Sequence, residues 1–332
     1  MRVWPEMMYR LLQRFWVWRW ARALIFAASR VRLHPNAVLI GSISRFMFRR
    51  GVKIGARSIL DIDHTGRLIV GEDVWISSEV EFQTDTEISI GEGTTIQRRC
   101  TINGTVRVGA WCIFAPNIFA SSGTHPFRVF PALTIREQEK RIAASKGKSL
   151  DCPIWIQMDC WLGINVVVCP GVTIGRGSIV GANSVVTREV QPYSIIAGSP
   201  ARVIGKRLEW LPLPLIEAAI EDHAIFVLDG TRIKRDDGTF GFVPMNGCRC
   251  FVAALSKPQS FASFRIRYRA MIASQIRIAG IEYFVAEGNG SIDVPYKSCE
   301  ELEFVRFEVE MLLPSAQGCF SISSLGLLPC AE

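Results

Sequence analysis

The chain has 332 residues, of which 49% are hydrophobic, and this composition excludes wholesale disorder and favours two domains. Its net charge of +7 is concentrated at one end, because residues 1–53 hold eleven Lys and Arg and one acid, Glu6. The rest of the chain is net acidic and has no nucleic-acid motif, P-loop or dinucleotide fingerprint, so we expect no nucleic-acid partner. Ten cysteines without a C-x-x-C pair predict a reducing compartment and no metal site.

Residues 1–37 are predicted to form a basic, Trp-rich amphipathic helix. Arginines interrupt it, so it lacks both the apolar run of about 18 residues that spans a bilayer and the apolar region of a secretory signal. Four of the nine tryptophans lie among these arginines, a mixture that suits the headgroup region of an anionic membrane. The alternative is a helix that caps the repeats that follow, and both roles are compatible. We expect a cytoplasmic protein, with a peripheral position on the inner face of the cytoplasmic membrane if the helix binds lipid.

Residues 38–205 follow a six-residue period that neither an α-helix nor a long strand has. Glycine often follows the apolar repeat residue, and a small or β-branched residue often comes four positions after it. This pattern is typical of short strands joined by tight turns and stacked as a parallel β-helix. The sixteen repeat residues are Ile54, Leu60, Val70, Ile76, Phe82, Ile90, Ile96, Ile102, Val108, Phe114, Ile156, Leu162, Val168, Ile174, Val180 and Val186.

Residues 120–153 interrupt the period and are predicted to leave the solenoid as a long loop, which is usually a functional feature. After Gly205 the period stops. Residues 206–223 are expected to be a linker with a short helix. In residues 224–332 apolar and polar residues alternate, as in Phe264 to Arg269, which predicts an antiparallel β-sandwich. Its arginine-bearing face is either an ordinary solvent face or a glycan site.

Three stretches carry a family resemblance: FAPNIFASSGTHPF, WLGINVVVCPGVTIGRGSIVGANSVVT and AGSPARVIG. They resemble the hexapeptide-repeat acyltransferases, particularly the maltose and galactoside O-acetyltransferases and the surface-polysaccharide acetyltransferases. The resemblance covers roughly residues 50–205. It implies a left-handed parallel β-helix, a homotrimer with active sites between neighbouring solenoids, and acetyl-CoA as the acyl donor.

His125, in the T-H-P step at the start of the long loop, matches the family's catalytic base. A sugar hydroxyl is a poor nucleophile at neutral pH, and an imidazole, which titrates near 6.5, can accept its proton during attack on a thioester. The chain has four histidines. His34 precedes the repeats and His223 follows them, so His64 is the second candidate. The group that orients the imidazole is left open.

The other site residues rest on matches to the family. Asn103 and Gln97 match positions near the acceptor, although an exposed polar turn residue explains Gln97 equally well. For the coenzyme, small residues and neighbouring cations match the positions that the family uses. Tight turns need small residues in any case, and packing explains Trp161 equally well. The predicted coenzyme-binding residues are Trp161, Gly163, Ala182, Thr187, Arg202 and Lys206.

The sequence therefore predicts an acetyl-CoA-dependent O-acetyltransferase that modifies a sugar hydroxyl of a surface polysaccharide, a lipopolysaccharide or a lipid-linked precursor. One alternative is an N-acetyltransferase that acts on an amino sugar or a nucleotide sugar. The other is a carbohydrate-binding solenoid scaffold without activity.

Overall fold

The computed structural model describes residues 15–144, 151–244, 250–256, 263–278, 280–295, 304–312 and 320–328. The chain divides into two compact units, residues 1–208 and residues 209–332. The first unit contains the six-residue repeat, and the second contains the alternating segments.

The first unit is a β-solenoid of about eight turns, in which successive strands of one turn join three parallel sheets, A, B and C. Sheet A holds β1 (Arg32–Leu33), β4 (Lys53–Ile54), β7 (Trp75–Ile76), β10 (Thr95–Ile96), β13 (Ile113–Phe114), β16 (Trp161–Leu162), β19 (Ile179–Val180), β21 (Ser194–Gly198) and the antiparallel β22 (Ala201–Lys206). Sheet B holds β2 (Val38–Ile40), β5 (Ile59–Ile62), β8 (Glu81–Thr84), β11 (Thr101–Asn103), β14 (Phe119–Ser121), β17 (Val167–Val168) and β20 (Val185–Val186). Sheet C holds β3 (Phe46–Phe48), β6 (Arg67–Val70), β9 (Glu87–Ile90), β12 (Val106–Val108), β15 (Ile154–Ile156) and β18 (Thr173–Ile174).

The repeat residues fill the interior of the solenoid. All sixteen are buried, with 0–3% of their surface exposed. In sheet A, Ile76 pairs with Ile96, Ile96 with Phe114, and Phe114 with Leu162, so equivalent residues of successive turns stack directly. Burying one such side chain contributes about 1.5–3 kcal/mol, and a one-residue slip would turn it outward. The predicted β-helix is confirmed.

Two kinds of residue allow the tight corners. Glycines lie where neighbouring turns approach closely: a Cβ on Gly109 would be 2.4 Å from the backbone nitrogen of Met158. Asparagines occupy corners in the left-handed region, with φ between 59° and 63° at Asn117, Asn165 and Asn183. Their side-chain amides hydrogen-bond from turn to turn, at 2.8 Å for each step. Chain conformation alone therefore accounts for these small and amide residues.

Helix α1 (Trp16–Ala28) covers the first turn of the solenoid and confirms the predicted N-terminal helix over its described part. Arg22, only 1% exposed, donates to the carbonyl of Ala37, and Arg19 donates to the carbonyl of Pro35 at 2.9 Å. Burial lowers the pKa of Arg22 to about 10, which leaves it charged at neutral pH. These arginines therefore serve the capping role. Residues 1–14 lie outside the described residues, and no described helix is long and apolar enough to cross a membrane.

The interruption of the repeat differs from the predicted long loop. The chain leaves the solenoid after β14 and re-enters at β15, and within this insertion lies helix α2 (Ile135–Ala144). Thr134 and Glu137 form a capping box: the Glu137 carboxylate accepts from the backbone nitrogen of Thr134 at 2.9 Å, and the Thr134 hydroxyl accepts from the backbone nitrogen of Glu137 at 3.3 Å. The T-I-R-E sequence already carries this signal for a helix start. Residues 145–150 lie outside the described residues.

The second unit consists of two antiparallel sheets, D and E, which confirms the predicted sandwich. Sheet D has the order β25 (Thr231–Lys234), β26 (Phe240–Val243), β33 (Phe320–Leu328), β28 (Ser263–Ala270) and β31 (Gly288–Pro295), and β23 (Leu215–Glu217) also pairs with β33. Sheet E has the order β24 (Val227–Asp229), β27 (Cys250–Ser256), β32 (Phe304–Met311), β29 (Ser274–Ile278) and β30 (Ile281–Val285). Aromatic side chains of the two sheets meet in the core, as in the pair Phe264 and Phe307, whose ring centroids are 5.3 Å apart.

The segment expected to be a linker belongs in part to the sandwich. Strand β23 lies within residues 206–223 and pairs with β33, so these residues are anchored to sheet D. The helix expected here is a 3-10 helix over Glu221–Phe226. The prolines of the sequence L-P-L-P-L obscured the short strand, because proline argues against a strand interior.

Candidate active site

The insertion leaves and re-enters the solenoid at Ser122, Gly123 and Asp151, which form its neck and contact the turn below. Gly123 and Asp151 form an isolated antiparallel bridge where the chain leaves and returns. The Asp151 carboxylate accepts from the hydroxyls of Ser122 and Thr105, and the backbone nitrogen of Thr105 donates to the Ser122 hydroxyl at 2.7 Å. This network fixes the position from which the next residues of the insertion, Thr124 and His125, project. Nothing in the repeat pattern of the sequence marks Asp151 as part of the site.

Helix α2 is held within the insertion by a buried amide. Gln138, 2% exposed, accepts from the backbone nitrogen of Phe130 at 3.0 Å and donates to the carbonyl of Leu133 at 3.1 Å. The guanidinium of Arg141 lies over the ring of Phe130, 4.2 Å from its centroid. The orientation of the helix, and therefore of its other side chains, is fixed by these contacts.

His125 is paired with a carboxylate from this helix. Its Nδ1 lies 2.9 Å from Oε1 of Glu139, and Arg136 donates to the other carboxylate oxygen at 3.2 Å. The hydrogen bond from His125 is the main cause that lowers the pKa of Glu139, so the carboxylate is ionised at neutral pH. An ionised carboxylate favours the proton on Nδ1 and leaves the lone pair on Nε2. Nε2 has no hydrogen-bond partner among the described residues and is available as a base.

Glu139 is the hydrogen-bond partner of the His125 imidazole, and the sequence did not indicate it. The carboxylate lies fourteen positions after the histidine, so only the fold of the insertion brings the two together. The one signal was an acidic residue in the polar stretch R-E-Q-E-K, which also contains Glu137.

His64, the second candidate base, also has a carboxylate partner. Its Nδ1 lies 2.5 Å from Oδ1 of the preceding residue, Asp63, in an early turn of the solenoid. Unlike His125, it projects from a regular turn without an insertion. The two histidines therefore carry the same local chemistry in different surroundings.

Asn103 lies in a polar cleft on sheet B. Asp61, Gln83, Asn103 and Ser121 are paired in register on successive strands, and three of them face a cavity of about 440 Å³ with Ser121 beyond it. The oxygen of the Asn103 amide is buried and has no hydrogen-bond partner among the described residues. A bound hydroxyl would satisfy it. The cavity ends at Gly104, one turn below the neck of the insertion.

Gln97, Gly163 and Ala182 lie along a different corner, where sheet A turns into sheet B. The backbone nitrogens of Gln97 and Gly163 make equivalent turn-to-turn hydrogen bonds two turns apart, to Phe114 at 3.0 Å and to Val180 at 2.8 Å. A Cβ on Gly163 would lie 2.7 Å from the backbone nitrogen of Ala182, so packing alone requires glycine at this position.

The remaining coenzyme candidates are exposed, and they lie toward the C-terminal end of the solenoid. Trp161 projects outward from β16 with 51% of its surface exposed. Arg202 and Lys206 lie on β22, paired with Ala197 and Ser194 of β21. Thr187 follows β20 at the far edge of sheet B. Within one chain, Trp161, Arg202 and Lys206 belong to sheet A, whereas Thr187 follows sheet B at the same corner as the insertion that carries His125. A three-residue strand separates the two edges of sheet B by roughly 10 Å.

The comparison with protein families agrees with the repeat. Residues 153–188 match the family model described as bacterial transferase hexapeptide (six repeats). The chain is 36% identical over 137 residues to the galactoside O-acetyltransferase of Escherichia coli, an overlap of 41% of this chain and 62% of that protein. It is 37% identical over 101 residues to a putative acetyltransferase of Schizosaccharomyces pombe, an overlap of 30% of this chain and 43% of that protein. The chain thus spans less than two thirds of these curated relatives.

Two solved structures that align with part of this chain are the following. Caulobacter crescentus PerB, in complex with CoA and GDP-perosamine, aligns with a TM-score of 0.32 at 23% identity. The alignment covers 46% of this chain and 57% of the PerB chain. The polysialic acid O-acetyltransferase OatWY aligns with a TM-score of 0.31 at 18% identity. The alignment covers 53% of this chain and 88% of the OatWY chain.

Proposed function

We propose that this chain, whose repeats are hexapeptide repeats of the bacterial transferase type, is an acyl-CoA-dependent O-acetyltransferase. The observation that carries the proposal is the pairing of His125 with Glu139 on an insertion of this solenoid. The acceptor is a sugar hydroxyl of a surface polysaccharide, a lipopolysaccharide or a lipid-linked precursor. The 36% identity to a galactoside O-acetyltransferase supports a sugar as acceptor.

In the proposed reaction, Nε2 of His125 takes the proton of the acceptor hydroxyl while the oxygen attacks the thioester carbonyl. The tetrahedral adduct then collapses, the carbon–sulfur bond breaks, and the coenzyme thiolate recovers the proton from the imidazolium. Glu139 holds Nδ1 and stabilises the imidazolium, as carboxylates do in catalytic triads. General-base catalysis of this kind contributes about 10²–10⁴-fold. Asn103 accepts a hydrogen bond from a second hydroxyl of the acceptor.

Acetyl-CoA is the proposed donor, with its pantetheine arm along the row of Trp161, Gly163 and Ala182. Thr187 is the predicted coenzyme residue that lies outside this row. Arg202 and Lys206 are exposed cations at the end of this row and suit the coenzyme phosphates. A homotrimer would bring this row of one protomer to the His125 corner of the next. Exposed apolar side chains along the outer face of sheet A, such as Trp75 and Ile113, support an interface between copies.

N-acetylation of an amino sugar is the second candidate function. Asp61, Asp63 and Asp85 line the cleft beside Asn103, and their carboxylates suit an acceptor that carries an ammonium group. The same cavity accommodates neutral hydroxyls, so the chemistry of the product distinguishes the two functions.

The test compares the surface glycan of cells with and without the gene by mass spectrometry. We expect the glycan to lose the mass of an acetyl group when the gene is deleted. Mild alkali removes O-acetyl esters but leaves N-acetyl amides intact, so treatment of the wild-type glycan should produce the same loss. An alkali-stable acetyl group would favour the N-acetyltransferase, and an unchanged glycan would contradict both functions.

We also propose that the outer side of helix α1 binds the anionic face of a membrane while its inner side caps the solenoid. Trp16, Trp20 and Leu24 are spaced by four residues and are 71%, 55% and 68% exposed. Four cations and one acid, Asp73, line the adjoining cavity of about 720 Å³. The cations are Arg30, Arg32, Arg50 and Lys53. An apolar stripe beside a cationic surface is typical of interfacial helices.

Replacing Trp20 and Leu24 together with serine should lower binding to phosphatidylglycerol vesicles by about tenfold or more, because each buried apolar side chain contributes about 1.5–3 kcal/mol. Binding of the unaltered protein should weaken as salt rises. Vesicle sedimentation measures both effects. Trp111→Ser is the matched control, because Trp111 is 54% exposed on a corner of the solenoid away from α1. Equal losses in the two variants would contradict the assignment to α1.

A further inference from the structure

A cavity of about 760 Å³ opens on the outer face of sheet D, in the second unit. Three arginines line it: Arg235 from the turn between β25 and β26, and Arg267 and Arg269 from β28. Two acids, Glu217 and Asp237, line it as well. These charges belong either to an ordinary solvent-exposed face of a sheet or to a positively charged binding site.

The ion pairs on this face distinguish the two explanations. Arg265, on the same strand but outside the cavity, makes a bidentate pair with Asp293, with both distances 2.7 Å. That is the arrangement of an ordinary charged face. Of the three cavity arginines, Arg269 alone has a carboxylate partner within the described ranges, and that partner is Asp237. The side chain of Arg267 is exposed, and its guanidinium has no ion-pair or hydrogen-bond partner among the described residues.

Arg235 is also without a carboxylate in the described part of the chain. Its guanidinium donates to the hydroxyls of Ser321 at 2.8 Å, Ser323 at 3.0 Å and Thr239 at 3.2 Å. Burial, and then the charge of Arg269, lower the pKa of Arg235. Two guanidiniums, those of Arg235 and Arg267, and one carboxylate, that of Glu217, therefore line the cavity outside the ion pair of Arg269 and Asp237.

One tyrosine of β28, Tyr268, packs its ring in the core, 5.5 Å from Phe320 between centroids, and also lines the cavity. Tyr268 is 7% exposed and lines the cavity, although its neighbours on β28 that face the core are apolar. Its hydroxyl passes close to Gly290, where a Cβ would lie 2.4 Å from the hydroxyl oxygen. This hydroxyl has no hydrogen-bond partner among the described residues. The register of β28 and β33 shifts between Arg267 and Tyr268, and such bulges re-aim side chains next to functional sites.

We propose that this cavity binds a saccharide that carries an anionic group, a carboxylate or a phosphate. A guanidinium fork matches the geometry of both oxyanions. Tyr268 and nearby polar side chains, such as Ser324 and Asn289, provide hydrogen bonds for sugar hydroxyls. The volume lies within the range of about 300–1,000 Å³ that is typical of ligand sites. The sandwich thus holds an acidic glycan independently of the chemistry of the solenoid.

Calorimetric titration of the full chain, without acetyl-CoA, tests this proposal. The probes are trigalacturonate, glucose 6-phosphate, neutral maltotriose and inorganic phosphate. We expect trigalacturonate or glucose 6-phosphate to bind at least tenfold more tightly than both maltotriose and inorganic phosphate, with an affinity that falls as salt rises. Which of the two binds more tightly identifies the anionic group. Because no acyl donor is present, a failure here is separate from a failure of the proposed transferase.

Arg267→Gln should weaken binding of the tighter probe by about tenfold, and Arg265→Gln, its matched control on the same strand, should change it less than twofold. Tyr268→Phe removes one hydroxyl and should weaken binding a few-fold. Arg267 is exposed, so its variant should keep the melting temperature of the parent protein. Equal binding of maltotriose would overturn the anionic specificity, and equal binding of inorganic phosphate would overturn the role of the sugar. Equal losses in the Arg267 and Arg265 variants, or no binding of any probe, would overturn the site.

Discussion

Replacing His125 with alanine is expected to lower the turnover rate of acetyl transfer about 10²- to 10⁴-fold, because the variant lacks the base that accepts the proton of the acceptor hydroxyl. The affinity for acetyl-CoA should change little, since the proposed coenzyme residues lie on other turns of the solenoid. The side chain of His125 is 65% exposed, so its removal opens no cavity in the core. Steady-state release of the coenzyme thiol, measured with a sugar acceptor, separates the two parameters.

His64→Ala is the control for this experiment. It removes an imidazole that is also exposed and paired with a carboxylate, that of Asp63, but from a regular turn. Its turnover should stay close to that of the unaltered protein. A large loss at position 64 would move the base to the early turns, and near-normal turnover of His125→Ala would remove the basis of the mechanism.

The solenoid could be predicted from the sequence because its contacts repeat at a fixed spacing. Ile90, Ile96 and Ile102 lie six residues apart and face the same interior from three different sheets. Each turn packs mainly on the turns before and after it, so the local pattern determines the whole fold. The alternation in residues 264–269 was informative for the same reason, since a period of two specifies the face of a strand.

The insertion could not be predicted in this way. It has no repeat, and its helix was expected to be loop although Thr134 and Glu137 carry a capping signal. The partner of His125 depends on how the insertion folds. Gln138 orients the helix through contacts within the insertion, and Asp151 fixes the neck through contacts with residues distant in sequence. The pairing of His125 with Glu139 is therefore a property of the folded insertion.

Some residues suit two explanations at once, and the sequence alone does not separate them. Gly163 matches a coenzyme position, yet the backbone of the next turn leaves no room for a Cβ there. Arg19 and Arg22 suit lipid phosphates, yet they hydrogen-bond to the first turn of the solenoid. In both cases a close contact with a neighbouring turn gives the residue its structural role. The sequence does not contain this distance.

Replacing Glu139 with glutamine is expected to lower turnover by about 10- to 100-fold without changing the affinity for acetyl-CoA. The carboxylate accepts a hydrogen bond from the N–H group at Nδ1, at 2.9 Å, and this leaves the lone pair on Nε2. A glutamine amide can instead donate to Nδ1, which would place the proton on the nitrogen that has to accept one. In the catalytic triad of the serine proteases, where a buried aspartate sets the tautomer of the histidine, the equivalent change costs about 10⁴-fold. We expect a smaller effect here because the His125 side chain is exposed.

The comparison with two further variants separates this role from a loss of structure. Glu139→Ala neither accepts nor donates, so its turnover should lie between those of Glu139→Gln and the unaltered protein. Glu137→Gln removes the same charge from the same helix but alters only the cap at Thr134, and it should keep nearly full turnover. Circular dichroism should show the same fold in all three. If Glu137→Gln loses as much activity as Glu139→Gln, the helix supports the site only through its stability, and Glu139 does not set the protonation of His125.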